Sequence, residues 1–461
     1  MNRNRMISAT EGPILKQLVL FCLPIMFGTL FQQLYNTVDV IVVGKFVGTN
    51  AIASVGGSSG MIINLVVGFF TGLTSGITVI LSRMAGARDS EGFQKGVGTS
   101  VLLALIGGII FSILGLIFAP VILKLLDTPQ EILVDSEVYT RIYFSGIVFV
   151  FLFNSGSAIL RSMGDTGRPL VYLIVCCFVN IVLDVFLVTV VGMGVSGVAI
   201  ATVTAQAVSV ILTMRALMNL PEGMSLAAKY MKIDTGILKD ILKIGLPASF
   251  QSIMNSLSGI VMVTAINNLG TVAVSGNTAY AKLDGIYWMI ATAFSVSIAT
   301  FVGQNYGAGN YERMKKCVRI CLIVNVMVSA CVSIFFITMA HPLLYLFTND
   351  EEVIEQGIQV MRAIAPYYAI TPFYEILISS LRAMGDSLKP MIVNVAGLCG
   401  IRILWIKVIL ALHPQWKGIY WIVLSCPVSW GLTALVMIFY YIYMVHHKNI
   451  YLSNLTTTVA G

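Results

Sequence analysis

Charge is scarce in this sequence. Of 461 residues, 11% are Asp, Glu, Lys or Arg and 57% are hydrophobic, whereas a soluble domain carries about 25% charged residues. Twenty-eight Lys and Arg with 21 Asp and Glu are too few to clothe a soluble globule of this length. The same composition excludes disorder, a coiled coil and a secreted disulfide scaffold. Paired cysteine motifs are also missing. The eight cysteines (Cys22, Cys176, Cys177, Cys317, Cys321, Cys331, Cys399 and Cys426) show no C-x-x-C spacing, which argues against a zinc site or a disulfide framework. Nearly all fall within or beside apolar runs, as small buried filler does. There is no G-x-x-x-x-G-K-[ST] and no H-E-x-x-H, and the four histidines lie at span edges, in loops or in the tail. ATP hydrolysis, zinc proteolysis and an intramembrane Ser-His-Asp triad therefore lack their residues, and the chain is not expected to be an enzyme.

Long apolar runs are what it has. Val97–Leu126 and Ile320–Leu346 both exceed twenty residues, the length of a membrane-spanning helix. Backbone polar groups in lipid must be satisfied internally, so spans are helices or a closed barrel. Runs this long favour helices over the short alternating strands of a barrel. The first run, Ile14–Val43, is too long for a signal-peptide core and has no cleavage pattern, so it is expected to be a retained first span. Twelve spans are expected, near 14–43, 52–81, 97–122, 138–160, 169–192, 195–218, 237–267, 273–301, 318–347, 359–381, 390–412 and 418–445.

Basic residues orient them. With the amino terminus in the cytoplasm, inside segments hold 20 of the 28 Lys and Arg, among them Arg3, Arg5, Arg161, Lys315, Lys316 and Arg382. Outside segments hold only Lys45, Lys124, Lys407 and Lys417. That is a strong positive-inside bias, and a missed helix would destroy it. The net charge of +7 is thus accounted for by orientation, without nucleic acid as a partner. Both termini are expected in the cytoplasm.

The chain also repeats. Leu160-Arg161-Ser162-Met163-Gly164-Asp165 recurs as Leu381-Arg382-Ala383-Met384-Gly385-Asp386, at an offset of 221, with Pro169 and Pro390 following. Gly86-Ala87 matches Gly307-Ala308 and Arg141 matches Arg362 at the same offset. Leu23-Pro24 matches Leu246-Pro247 at 223. The expected fold is all-α and polytopic: twelve transmembrane helices in two six-helix bundles related by a pseudo-two-fold axis along the membrane normal. The expected divisions are an amino-terminal lobe over 1–218, a cytoplasmic linker over 219–236 and a carboxy-terminal lobe over 237–461. Repeated Arg161, Asp165, Arg382 and Asp386 at the span ends suit loop architecture with mutual salt bridges.

The duplicated L-R-x-M-G-D…P, the Leu-Pro in spans 1 and 7 and the Gly-Ala after spans 2 and 8 resemble bacterial multidrug and toxic compound extrusion transporters. The resemblance covers nearly the whole chain. It implies multi-pass residence in a bacterial cytoplasmic membrane and export of small, often cationic, organic compounds. Export would exchange them for H⁺ or Na⁺ by alternating access, with no other cofactor and no obligate protein partner. A flippase for a lipid-linked precursor, in the same wider superfamily, is the alternative; it calls for a basic cleft.

Six ionisable residues fall within spans: Asp39, Asp184, Lys282, Asp284, Glu375 and Arg402. Such groups are costly in lipid and mark pathways or partners. The first half holds two acids and no deep base, whereas in the second half two bases match two acids. An uncompensated acidic bundle must hold a cation or take up a proton. Neighbouring polar residues share helical faces: Gln32, Asn36 and Asp39 in span 1, Asn180 and Asp184 in span 5, and Thr202 and Gln206 in span 6. Carboxylate, amide and hydroxyl oxygens are ligands for a hard cation such as Na⁺. The family's first-lobe cation site uses an Asp in span 1, an Asn-x-x-x-Asp in span 5 and a Thr in span 6. Asp39, Asn180, Asp184 and Thr202 fit those positions. The bland reading of the same residues is structural hydrogen bonding between helices, and it applies also to Asn36, Asn154 and Gln206. In the second half, Lys282, Asp284 and Glu375 make either a second polar pocket for substrate or coupling, or a buried ion-pair network. Lys282 and Asp284, two residues apart, point in different directions.

Overall fold

The computed structural model describes residues 8–221, 223–413, 415–416 and 418–459. Arg3, Arg5 and Lys417, which entered the charge count, lie outside the described residues. Among the described residues all regular structure is helical. Ten helices are long and apolar enough to cross a membrane, and a bent pair forms an eleventh candidate. The protein is an integral, multi-pass membrane protein.

The first span is α1 (Ile14–Phe46). The second is broken at Gly57 into α2 (Thr49–Gly56) and α3 (Ser58–Gly86). The third is α4 (Ser90–Leu125), whose start is capped by the Asp89 side chain accepting from the Gly92 N–H at 2.9 Å. The fourth is the bent pair α5 (Gln130–Ser145) and α6 (Ile147–Ser162), which meet at 46°. The fifth is α7 (Gly167–Val185) continued by a π turn over Phe186–Val190, and the sixth is α8 (Gly194–Met218).

Beyond the linker come α9 (Thr235–Asn267), α10 (Thr271–Gly307) and α11 (Tyr311–Thr338), with a short α12 (Ala340–Tyr345). The expected tenth span is α13 (Glu351–Ile364) and α14 (Thr371–Ala383) on either side of a 3₁₀ segment, Ala365–Ile370. Neither helix alone has the length of a span, which is why the twelfth crossing escapes a count of long helices. Pro366 lies within the break and Pro372 just after it, and a missing backbone N–H at each disrupts regular α pairing. The breaks at Gly146 and at Ala365–Ile370 coincide under the 221-residue repeat. The eleventh span runs through α15 (Leu388–Asn394), α16 (Arg402–Leu404) and α17 (Leu410–Leu412), with π segments at Val395–Ile401 and Trp405–Ile409. The latter repeats the π turn of span 5, and π turns recur at functional positions in helices. The twelfth is α18 (Ile419–Val423) followed by α19 (Ser425–Val459).

Residue contacts divide the chain into two compact units. One comprises Met1–Ser249 with Gly303–Tyr311, the other Phe250–Val302 with Glu312–Gly461. The contact boundary therefore runs through α9 and α10, whereas the sequence repeat places it in the linker.

Within the first unit, α6 packs on α3 and α4, and α7 packs on α1 and α8. Its apolar interior includes Phe70 and Phe151, which stack with ring centroids 3.7 Å apart. Small residues let backbones touch, as in membrane helix pairs generally. The repeated glycines supply the closest approach. A Cβ on Gly86 would stand 1.9 Å from the Gln304 carbonyl oxygen, and one on Gly307 would stand 2.0 Å from the Arg83 carbonyl oxygen. The Gly-Ala repeat is thus a reciprocal backbone contact within this unit.

No disulfide joins the eight cysteines among the described residues, and every one except Cys331 is buried. The expected salt bridges between the repeated Arg and Asp residues do not form. Asp165 pairs with Arg168 instead, at 2.9 Å, and accepts the Arg168 backbone N–H at 3.1 Å. Three residues of separation at a helix start bring that pair together more readily than four residues across the turn at Gly164. Asp386 accepts a hydrogen bond from the Tyr440 hydroxyl.

Candidate cation and substrate sites

Four of the predicted first-lobe residues meet in the first unit. Asp39 comes from α1, Asn180 and Asp184 from successive turns of α7, and Thr202 from α8. Their relative exposures are 4%, 0%, 0% and 5%, so none faces lipid. The Thr202 hydroxyl reaches Asp39 Oδ2 at 3.3 Å and the Val198 carbonyl at 3.0 Å. It has one proton and donates to one of them at a time. Asn180 Nδ2 donates to Thr202 Oγ1 at 3.4 Å, and Asp184 lies within hydrogen-bonding reach of Asp39. Two ionised carboxyl groups at such range repel, and the pair is stable with a proton or a cation between them.

Acceptors exceed donors throughout this cluster. Asp39 Oδ1, both Asp184 carboxylate oxygens, Asn180 Oδ1 and Gln206 Oε1 receive no hydrogen bond. No Lys or Arg forms an ion pair with either acid among the described residues. Buried acceptors left this way are unfavourable unless something electropositive joins them. The set is all oxygen, which suits a proton or a hard cation such as Na⁺ rather than a soft metal.

Aromatic residues complete the surroundings. Tyr35, four residues before Asp39 on α1, accepts from Gln206 Nε2 at 3.3 Å through its hydroxyl oxygen. Tyr139 and Tyr143 of α5 lie close enough to Asp39 to feel its charge. The sequence reading missed all three, although the i,i+4 spacing of Tyr35 with Asp39 and of Tyr139 with Tyr143 was there to find. The inward face of α1 runs through Tyr35 and Asp39. Asn36 is exposed, while Gln32 and Asn154 line a separate small cavity with Arg161. Gln206 does join the acid cluster.

The second unit holds a cavity of about 450 Å³ lined by Asp284, Glu375 and Arg402 and by Tyr280, Trp288 and Trp430. Asp284 is fully supplied with donors. The hydroxyls of Tyr368 and Tyr280 reach Oδ1 at 2.5 and 3.3 Å, and Trp288 Nε1 reaches Oδ2 at 3.0 Å. Tyr287 stacks on Tyr368 at 3.7 Å, and its hydroxyl meets that of Thr371. Glu375 Oε2 accepts from the Ser295 hydroxyl at 3.5 Å. Arg402 donates from Nη1 to the Ser258 hydroxyl at 3.0 Å. Glu375 and Asp284 therefore share one chamber, as the sequence suggested, but Lys282 is exposed and outside it. Arg402 is the cation there. Among the described residues no ion pair within 4.0 Å links these three, so the chamber is polar and aromatic rather than a closed ion-pair network. Acids beside aromatic faces suit an organic cation.

Residues 24–186 and 247–406 match the MatE family, once in each half of the chain. The chain is similar over 94% of its length to the probable multidrug resistance protein YpnP of Bacillus subtilis (strain 168), at 28% identity and 96% of that protein. It is 22% identical to the multidrug export protein MepA of Staphylococcus aureus, over 93% of this chain and 94% of that one. Its fold matches the outward-facing conformation of a multidrug resistance MATE family transporter with a TM-score of 0.89, covering 97% of this chain and 99% of the other at 22% identity. With both repeats matched in order, this chain belongs to the MatE family of membrane transporters.

Proposed function

We propose that this protein is a secondary active exporter of organic, often cationic, compounds that works by alternating access in exchange for H⁺ or Na⁺. The observation that carries the reading is the buried pair Asp39 and Asp184. Two carboxyl groups lie side by side, with carboxylate oxygens lacking donors and with no Lys or Arg paired to either acid among the described residues. Asn180 and Thr202 complete an oxygen-lined receptacle for the coupling ion. Gln206 and Tyr35 connect it along α1 and α8, so a change in its charge alters contacts between those helices. The chamber around Asp284 and Glu375 supplies the substrate site, with Tyr280, Trp288 and Trp430 as its aromatic walls. Substrate and coupling ion then occupy different units and influence one another through conformation. The distribution of Lys and Arg supports placing both termini inside, and the bacterial relatives support a bacterial cytoplasmic membrane. The relatives' printed names as multidrug resistance and export proteins support the substrate class.

The test is efflux of a cationic dye from proteoliposomes, with H⁺ and Na⁺ gradients imposed separately. One gradient is expected to drive export by the wild type, which names the coupling ion. Asp39→Asn and Asp184→Asn are expected to abolish driven export while the purified variants still bind the dye. Wild-type driven export by both variants would overturn the assignment.

A further inference from the structure

The motif L-R-x-M-G-D occurs twice, but its two arginines are served differently. In the second unit Arg382 has both a carboxylate and an acceptor, although its Nε, like that of Arg161, has no hydrogen-bond acceptor. Its Nη2 donates to Gln251 Oε1 at 2.9 Å, and it lies within electrostatic reach of Glu375, seven residues back on the same helical face. Under the 221-residue repeat Glu375 corresponds to Asn154. Under the 223-residue offset of spans 1 and 7, Gln251 corresponds to Gly28. Both compensating side chains are therefore missing from the first unit.

What replaces them is space. Gly28, Gln32, Asn154, Ser157, Arg161 and Thr166 line a cavity of about 90 Å³. Arg161 forms no ion pair among the described residues, and its Nε has no hydrogen-bond acceptor. Ser157 stands one turn before Arg161 on α6, is 2% exposed, and its hydroxyl is also without a partner. Asn154 spends one amide hydrogen on the Val150 carbonyl, at 2.8 Å, and keeps the other. A half-buried guanidinium without a counter-ion is unfavourable, and here it sits among unspent donors.

We infer that this cavity is a binding site for one small monovalent anion, a halide or a small carboxylate. The guanidinium of Arg161 supplies the charge. Ser157 Oγ and the free Asn154 amide hydrogen supply directed donors, and the Gln32 amide closes the opposite wall. The volume suits chloride or formate better than the six-carbon gluconate. The anion stands where the carboxylate of Glu375 stands in the second unit, so the first unit borrows from solution the charge that the second carries in its chain. The site uses no carboxylate of the acid cluster at Asp39, although Gln32 in its wall also reaches the Tyr35 hydroxyl.

The repeat itself designs the test. Asn154→Glu gives Arg161 the internal counter-ion that Arg382 has, Arg161→Gln removes the charge, and Ser157→Ala removes one donor. Binding of radiolabelled chloride to the purified full-length protein is measured at fixed ionic strength, with gluconate as the balancing anion. Wild type is expected to bind chloride saturably, at about one per chain, displaced by formate but not by gluconate. Affinity is expected to fall at least tenfold in Asn154→Glu and in Arg161→Gln and several-fold in Ser157→Ala. Formate competition distinguishes a site open to carboxylates from one selective for halides. Absence of saturable chloride binding in the wild type, or wild-type affinity in Asn154→Glu and Ser157→Ala, would overturn the inference.

Discussion

Gly86 and Gly307 provide a prediction whose sign follows from distance alone. Alanine adds one methyl group. At Gly86 it would meet the Gln304 carbonyl oxygen at 1.9 Å, and at Gly307 the Arg83 carbonyl oxygen at 2.0 Å. Real Cβ atoms essentially never approach closer than 3.0 Å, so each substitution forces two backbones apart by about an ångström. No side-chain rotation relieves a clash with a carbonyl. Overpacking of this kind costs about 1–3 kcal/mol, and a rigid backbone contact belongs at the upper end. Alanine's helix preference recovers about 1 kcal/mol at most in a helix interior, and less here, because Gly86 and Gly307 are the last residues of α3 and α10. A net loss of about 1–2 kcal/mol is expected for each. Gly285, inside α10, is the control: a Cβ there meets nothing within 4 Å, so Gly285→Ala is expected to be neutral or stabilising by up to about 1 kcal/mol. At about 2–4 °C per kcal/mol for a folding unit of 150–250 residues, the thermal midpoint in detergent should fall by about 2–8 °C in Gly86→Ala and Gly307→Ala. It should hold or rise in Gly285→Ala. Equal midpoints for all three variants would refute the close-approach explanation of the repeated Gly-Ala.

Other substitutions probe the remaining contacts. Phe151→Ala removes a ring that is 0% exposed and stacked on Phe70 at 3.7 Å; a loss of about 3–5 kcal/mol is expected as a large drop in thermal midpoint, and a drop of under 2 °C would contradict the packing. Asp165→Ala removes the ion pair to Arg168 and the bond to its backbone N–H, with about 1–2 kcal/mol expected to be lost from the start of α7; thermal unfolding checks this. Tyr368→Phe takes from Asp284 its shortest donor, leaving the carboxylate less satisfied. Dye binding measured by fluorescence polarisation should be as tight or tighter in that variant, whereas Asp284→Asn should weaken it at least tenfold.

The architecture was legible because lipid imposes a length. A run such as Val97–Leu126 has one use, and the 221-residue repeat fixed the pairing of spans without any packing information. The breaks were not legible: bending at Gly146 or at Ala365–Ile370 leaves an apolar segment equally apolar. Nor does hydropathy separate a residue facing a chamber from one facing outward, so Lys282 was grouped with the polar pocket, although its two-residue spacing from Asp284 already pointed it elsewhere, and it is found outside. Spacing placed Asn180 with Asp184 and Thr202 with Gln206 on one helical face each, and it was the family resemblance that implied a meeting of spans 1, 5 and 6. Tyr35, Tyr139 and Tyr143 escaped because aromatic residues on apolar helices are usually packing. Arg161 and Arg382 looked equivalent in sequence, and only their partners distinguish them.

The most direct test of the central claim counts cations at the Asp39–Asp184 pair. Purified protein in weakly buffered detergent solution is mixed with a cationic dye while released H⁺ is followed with a pH indicator and displaced Na⁺ with a sodium electrode. The wild type is expected to release one of these ions as dye binds, and Asp39→Asn and Asp184→Asn are expected to bind dye with no ion released. Ion release of wild-type size from either variant would show that the buried carboxyl pair is not where the coupling ion sits.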